Sequence, residues 1–570
     1  MEENQMKVLI VGGVAGGATA AARLRRLDEQ AEIIIIERSG YISYANCGLP
    51  YYIGGEITDK EELTLQTPES FYHRFRIDVR VQQEVVTINP DSKCVTIKNL
   101  RDGVEYDESY DKLILSPGAK PVWPDLPGVE DWRIFTLRTV EDTFRIHDHV
   151  EQRNPKSVAI IGGGFIGLEM AENLIGKGLD VTLIQRPNHV MSPIDSDMAS
   201  IVHNYLRKKQ IKLVLGASVI GFEKAEDQLQ VQIQDQASIS ADMVIMAIGV
   251  APESTLAKKA GLQLGLKDAI VVNEHMQTSN PDIYAVGDAV EVKHFVSGER
   301  ALIALAGPAN KQGRIAADHI CGLNSSYKGS QGSSVLKMFD LTVASTGLNE
   351  RAAKAAGLEF DSVILSPASH ATYYPGAASM TMKVLFEQGS GRILGAQIVG
   401  FGGVDKRIDV LATAIRANMT AFDLTELDLA YAPPYSSAKD PVNMAGFVIE
   451  NILTEKVKQI QWKDLEQMPE NTIVLDARTM WEFTNGHIEN AINIPIDEMR
   501  KVLDAQEVIL PKDQTYYVYC QSGLRSYLAC RILKQYGYDC YNVAGGYGFY
   551  QQSKLDQPLD AEGKRPCGLK

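Results

Sequence analysis

The feature that most constrains this chain is an internal repeat. VLIVGGVAGGATAAARL begins at Val8 and VAIIGGGFIGLEMAENL begins at Val158. Each is a short apolar strand, a glycine turn and a helix whose small residues face the strand, which is the opening βα unit of a dinucleotide-binding fold. The glycines permit a tight turn and close helix packing, and the helix N-terminus offers free N–H groups and a positive dipole to a pyrophosphate. The second copy has the full spacing, with Gly162, Gly164 and Gly167. The first keeps Gly12 and Gly17 but carries Val14 at the middle position, followed by Ala15. Two such units predict two nucleotide sites.

The strand after each turn says more about the ligand. IIIIE, Ile33 to Glu37, ends in an acid about 20 residues past the turn, where a ribose hydroxyl needs an acceptor. Glu37 is that candidate, with Arg38 counted in the same site. In the second unit VTLIQR ends in Gln185 and Arg186. An arginine there suits a 2′-phosphate and leans the site toward NADPH over NADH, although a solvated strand-end charge reads the same way. Glu169, on the helix after the second turn, is counted with this site. Pro117 and Gly118, in the strand-turn segment from Asp111, and Gly287 and Asp288, in PDIYAVGDAVE, complete the cofactor residues. Asp288 is placed to accept a hydrogen bond from a polyol hydroxyl.

Length and composition bound the rest. The 570 residues have room for roughly three to five domains. A formal net charge of -15 argues against non-specific nucleic-acid binding, so any anionic ligand must be met by local basic residues. Seven widely spaced cysteines do not read as a secreted disulfide framework and fit a reducing, cytoplasmic setting. No leader pattern and no run of ~18 apolar residues predicts a membrane segment, and no metal site is expected.

One cysteine stands apart. Cys47 lies in SYANCGLP among small and turn-forming residues, and position 52, where a C-x4-C pair would place its partner, is Tyr52. The ordered set Gly12–Gly17, Glu37, Gly162–Gly167 and YAVGDA from Tyr284 resembles the two-dinucleotide flavoprotein disulfide reductases over about residues 6–445. That resemblance implies FAD at the first unit, NADPH or NADH at the second, and a dimerisation domain after them. SYANCGLPYYIGG is similar to the coenzyme A disulfide reductase active site, where the cysteine cycles with coenzyme A as a mixed disulfide. No histidine occurs between Met1 and Tyr72, which disfavours the peroxidase branch. SHATYYPG from Ser369 and LAYAPPYSSAKDP from Leu429 resemble that group's C-terminal domain, and they imply that Tyr373, Tyr431 and Lys439 serve the partner subunit's active site in a homodimer. Arg23 and Arg26 lie three apart on the first helix and so share a face for the phosphates of coenzyme A, with a solvated helix face as the bland alternative. Ser43 and Asn46 are candidates to hydrogen-bond its pantetheine arm or the cysteine.

The last hundred residues form a separate α/β pattern. YYVYC ends in Cys520, and CQSGLR, Cys520 to Arg525, opens a helix. A cysteine at a strand end before a helix N-terminus sits in an anion cradle that stabilises a thiolate or persulfide. The C-x4-R spacing, together with LDAR from Leu475 and WEFTNGHIENAINIP from Trp481, resembles single-domain rhodanese sulfurtransferases, implying catalytic roles for Cys520 and Arg525. Cys530 and Cys540 read as core cysteines.

The expected fold is therefore α/β. An FAD-binding domain of residues 1–120 and 250–330 is interrupted by an NAD(P)H-binding domain, 121–249. An α+β dimerisation domain, 331–445, a linker, 446–461, and a rhodanese domain, 462–570, follow. The whole resembles fusions of a coenzyme A disulfide reductase with a rhodanese, which implies NAD(P)H-dependent reduction of coenzyme A persulfide, polysulfide or disulfide, with sulfane-sulfur donors as partners. A reductase that keeps thiol redox balance, and a persulfide sensor or sulfur carrier, are the alternatives.

Overall fold

The structure, a computed structural model, describes residues 5–469, 471–505 and 510–556. It divides into two units. One holds the residues up to Asn188 together with Ile211–Gly332, and the other holds His189–Gln210 and the chain from Ser333 onward.

In the first unit the repeat in sequence is a repeat in fold. Strand Lys7–Val11 lies parallel between Glu32–Glu37 and Lys112–Leu115, and Asp78–Val81 and Ile283–Ala285 extend the sheet to five strands. Ser157–Ile161 lies in the same way between Asp180–Gln185 and Met243–Met246, with Lys212–Leu215 and Ile134–Phe135 at the edges. Each half also carries a three-stranded antiparallel meander, 83–109 and 219–241. The run IIII is apolar throughout because a parallel strand is covered on both faces: Ile34 and Ile36 enter one core, Ile33 and Ile35 the other.

The turns show why certain glycines are required. Gly12 (φ +96°) and Gly162 (φ +112°) are left-handed, and a Cβ at either would sit 2.1 or 2.2 Å from the carbonyl oxygen of Ser116 or Ala247. A Cβ on Gly17 or Gly167 would come within 1.9 Å of the carbonyl oxygen of the first glycine of its own turn. The middle position is different. Val14 has φ −99°, Gly164 has φ −84°, and a Cβ at Gly164 meets nothing within 4 Å. Valine is thus compatible with the first turn.

In the second unit, residues 334–400 build a five-stranded antiparallel sheet in the order Ser334–Met338, Leu341–Gly347, Ile393–Gly400, Met380–Glu387, Phe360–Leu365. The C-terminal sheet is parallel, in the order Lys458–Ile460, Asp539–Val543, Thr515–Tyr519, Ile473–Asp476, Ile492–Asn493. Of residues 446–461, expected as a linker, 446–453 (GFVIENIL) continue helix Pro441–Leu453 and Lys458–Ile460 is an edge strand of the C-terminal sheet, with a turn at 454–457 between them. The apolar run is helical because it has a partner, and a Cβ on Gly446 would sit 2.9 Å from the Ala421 carbonyl oxygen of the neighbouring helix Ala421–Glu426.

Polar contacts join the two sheets. Lys383, 1% exposed, places Nζ 3.0 Å from Asp195, 2.8 Å from Asp197 and 2.8 Å from Glu350. Burial would lower its pKa, but the three carboxylates outweigh burial and hold it above the ordinary lysine value. Glu350 also meets Lys463 at 2.6 Å, and Gln459 and Gln461 donate to the Ser362 carbonyl at 2.9 and 2.7 Å. Helix Ser196–Lys208 packs on helix Gly546–Leu555. Its His203, wholly buried, accepts from the Val190 amide at Nε2 (3.0 Å) and faces Asp556 through Nδ1 (2.6 Å), which assigns the ring proton to Nδ1. Among the described residues no helix is long and apolar enough to cross a membrane.

Candidate active sites

Cys47 lies in a single helical turn, Asn46–Gly48, that runs directly into helix Leu49–Gly54. The strand before it, Ile42–Tyr44, contains Ser43 in a left-handed conformation (φ +45°), unusual for a side-chain-bearing residue. The Ser43 amide donates to the Gly13 carbonyl at 2.8 Å, which ties the cysteine segment to the first glycine turn.

The side chain that organises this site is Arg138, which sequence reasoning did not find because it lies outside every motif. Its Nη2 lies 2.9 Å from Asp288, its Nε donates to the Ala119 carbonyl at 3.1 Å, and its Nη1 donates to the Asn46 side-chain oxygen at 2.9 Å. The Asn46 amide nitrogen returns a bond to the Arg138 carbonyl at 3.1 Å. With its amide turned so that the oxygen faces Arg138, Asn46 connects the segment bearing Cys47 to the carboxylate expected to hold a polyol. Cys47 itself is exposed. The protein packed around it still desolvates the thiolate enough to push the thiol pKa up; Glu169 and Asp288 push the same way, and Arg138 opposes them. Glu169 has its own pKa raised to about 7, first by desolvation and then by Glu172.

The first turn fits a flavin dinucleotide. Glu37, 7% exposed, accepts from the Gly13 amide at 2.9 Å and the Ser39 amide at 2.9 Å, and burial pushes its carboxyl pKa up against those bonds. Arg38 is exposed beside it. Gly118 (φ +72°) leaves room for the Arg138 guanidinium, and Gly287 (φ +82°) donates to Gln312 at 2.7 Å as it presents Asp288. The second turn copies the pattern with an amide: Gln185 accepts from Gly163 at 2.8 Å, as Glu37 does from Gly13. Arg186 next to it is exposed. Of the two candidate phosphate arginines, Arg26 is exposed, whereas Arg23 is held by Asp318 at 2.6 Å.

In the second unit, Tyr373 and Tyr431, 58 residues apart, meet hydroxyl to hydroxyl at 2.9 Å on an exposed surface, and Lys439 is exposed. The sulfur loop is a distinct site. Cys520 is fully buried; its Sγ accepts from the Gly523 amide at 3.1 Å and the Ser526 hydroxyl at 3.4 Å. Arg525 is engaged by Glu482 through two bonds of 2.7 and 2.6 Å, which hold its pKa up and bring the Glu482 carboxyl down to about 2. Beneath the loop, Tyr547 and Gly548 donate to the carbonyls of Cys520 and Gln521 at 2.7 and 3.0 Å. Gly546 (φ +68°) permits that crossing, since a Cβ there would lie 2.6 Å from the Ser522 nitrogen. The run AGGYGFY held this signal in its paired glycines. Cys530 and Cys540 are buried core residues.

Residues 6–313 match the family described as pyridine nucleotide-disulphide oxidoreductase, 333–441 match its dimerisation domain, and 459–553 match the rhodanese-like domain. A coenzyme A disulfide reductase of Staphylococcus haemolyticus is 37% identical over 442 residues, covering 77% of this chain and 98% of that protein. The crystal structure of reduced CoADR-RHD from Bacillus anthracis superimposes with TM-score 0.94 at 49% identity, covering 97% of this chain and 99% of that one. A NAD-dependent persulfide reductase from A. fulgidus follows with TM-score 0.89 at 38% identity, covering 96% and 100%.

Proposed function

Given that the chain belongs to the pyridine nucleotide-disulphide oxidoreductase family and carries a rhodanese-like domain, we propose that it reduces coenzyme A persulfide or polysulfide, and coenzyme A disulfide, with Cys47 forming a mixed disulfide with coenzyme A. The observation that carries this reading is the pairing, in one chain, of an exposed cysteine beside a dinucleotide turn with a second cysteine in a sulfur-cradling loop. The family uses FAD and NAD(P)H, and FAD when bound relays two electrons from the nicotinamide to sulfur.

Cys47 attacks as thiolate. On coenzyme A disulfide it bonds one sulfur and expels the other coenzyme A thiolate. On coenzyme A persulfide it bonds the coenzyme A sulfur and expels hydrosulfide, leaving the same mixed disulfide. Arg138 and Asn46 fix the segment that presents Cys47, and Glu169, titrating near neutrality, is available to take or return a proton. Tyr373 and Tyr431, as a hydroxyl pair, are assigned to the partner subunit's site in a homodimer, and Cys520 loads sulfane sulfur for transfer to coenzyme A.

Anaerobic oxidation of NADH and NADPH with coenzyme A persulfide, coenzyme A disulfide and glutathione disulfide tests this in wild type, Cys47→Ser and Cys520→Ser. Preference for the persulfide, hydrosulfide release and an inactive Cys47→Ser support it. Preference for the disulfide with no effect of Cys520→Ser makes the enzyme a coenzyme A disulfide reductase of thiol balance. Fast multiple turnover without a partner protein removes the sensor reading.

A further inference from the structure

The two dinucleotide folds of this chain are close copies, and one difference between them bears on what each can hold. At the end of the second strand of the first copy, Glu37 accepts from the Gly13 amide at 2.9 Å; at the same place in the other copy, Gln185 accepts from the Gly163 amide at 2.8 Å. An arginine follows in both, Arg38 and Arg186. The backbone frame is therefore repeated, and the charge is not.

A carboxylate at this position accepts from the glycine amide and from a ribose 2′-hydroxyl, and it repels a phosphate carried on that oxygen. An amide keeps an acceptor for the glycine, adds an N–H donor and carries no charge. The first copy is the chain's own example of a site for an unphosphorylated ribose, since the adenosine of FAD has a free 2′-hydroxyl. The second copy lacks the repelling group. Its surroundings have the same character: in a chain of net charge -15, neither residues 185–194 nor residues 215–218 include an acid. Those two stretches are tied together, because the Ala217 amide donates to the Gln185 carbonyl and the Gly216 amide to the Pro187 carbonyl, both at 3.1 Å. The backbone of Arg186 is thereby held on either side while its side chain is exposed, unlike Arg23, which Asp318 engages. A guanidinium so placed suits bidentate binding of a phosphate.

We infer that Gln185 and Arg186 make the second site selective for the 2′-phosphate of NADPH over the 2′-hydroxyl of NADH. Arg186 meets the phosphate, and Gln185 holds the glycine turn without opposing it. This rests on the functional reading above and names its hydride donor. Selectivity here is a difference between two affinities, so removing a repulsion counts as much as adding an attraction. Of the two residues, Gln185 is the one that separates the copies, since both have the arginine.

The test is calorimetric titration of full-length, FAD-loaded protein with adenosine 2′,5′-bisphosphate and with 5′-AMP, in the absence of any sulfur substrate. Wild type is expected to bind the bisphosphate at least fivefold more tightly than 5′-AMP. Gln185→Glu, which keeps an acceptor for Gly163 just as Glu37 does for Gly13, is expected to lower that ratio at least fivefold, and Arg186→Gln at least threefold. The ratio of kcat/KM for NADPH to that for NADH, with coenzyme A disulfide as acceptor, is expected to fall in the same variants. A wild-type preference below fivefold overturns the proposal. So does a smaller drop than stated in a Gln185→Glu protein that is soluble and retains its flavin. Because binding is read without turnover, a protein that shows the bisphosphate preference yet reduces neither coenzyme A persulfide nor coenzyme A disulfide upholds this assignment and removes the functional reading instead.

Discussion

Arg138 and Glu169 act on Cys47 with opposite signs, and that opposition is measurable. The guanidinium favours the thiolate and the carboxylate disfavours it. In the flavin-loaded enzyme, Arg138→Gln is expected to move the pH midpoint of Cys47 alkylation up, and Glu169→Gln to move it down, each by roughly half to one pH unit. Arg138→Lys should restore part of the shift. Iodoacetamide kinetics across pH 6–10 check this, and two variants moving the midpoint in the same direction would contradict it. Cys47, Cys520, Glu37 and Asp288 stand out in the sequence as candidates because each lies in a short motif with fixed local spacing. Arg138 does not, since its three partners, Asn46, Ala119 and Asp288, come from separate segments that only the fold assembles. The ion pair of Arg23 was hidden for the same reason: helical spacing places it on a face with Arg26 but holds no sign of Asp318, 295 residues away.

Among the elements, the glycine turns and the sulfur loop are set by close backbone approach. Gly546→Ala puts a Cβ 2.6 Å from the Ser522 nitrogen at a left-handed position, so the loop must shift, at a cost of roughly 1–3 kcal/mol. Thiosulfate-dependent sulfur transfer is expected to fall at least tenfold while NAD(P)H oxidation through Cys47 stays within twofold; equal loss of both would show a global defect instead. Val14→Gly, by contrast, is expected to leave FAD retention unchanged on gel filtration, because the middle position of the turn is sterically open. The paired sheets of the first unit were readable from the repeated strand and turn alone. The part of helix Pro441–Leu453 from residue 446 onward reads as linker in the sequence because its role depends on a partner helix that local pattern does not name.

At the scale of the whole molecule, the antiparallel and C-terminal sheets share a buried charge cluster. Burial would raise the Glu350 pKa, yet Lys383 and Lys463 draw it down to about 2 from an ordinary 4.5. A carboxyl whose folded pKa lies below its unfolded one stabilises fully above about pH 4.5, and that contribution is lost as pH falls toward 2. The difference in Tm between wild type and Glu350→Gln should therefore be largest near neutrality and close with acidification. A gap that stays constant down to pH 3 would contradict it. Lys383→Met should cost more than Glu350→Gln, since it strands three carboxylates around a buried position.

The seam around His203 has an evolutionary consequence. A module joined by a flexible tether is lost or moved by a single recombination, because nothing else in the host depends on it. Here, deleting the C-terminal module strips His203, Asn204 and Arg207, all on a helix encoded far upstream, of their partners Asp556 and Gln552. A lineage that discarded the rhodanese-like module would leave those side chains without these partners, so its loss calls for changes on that helix as well.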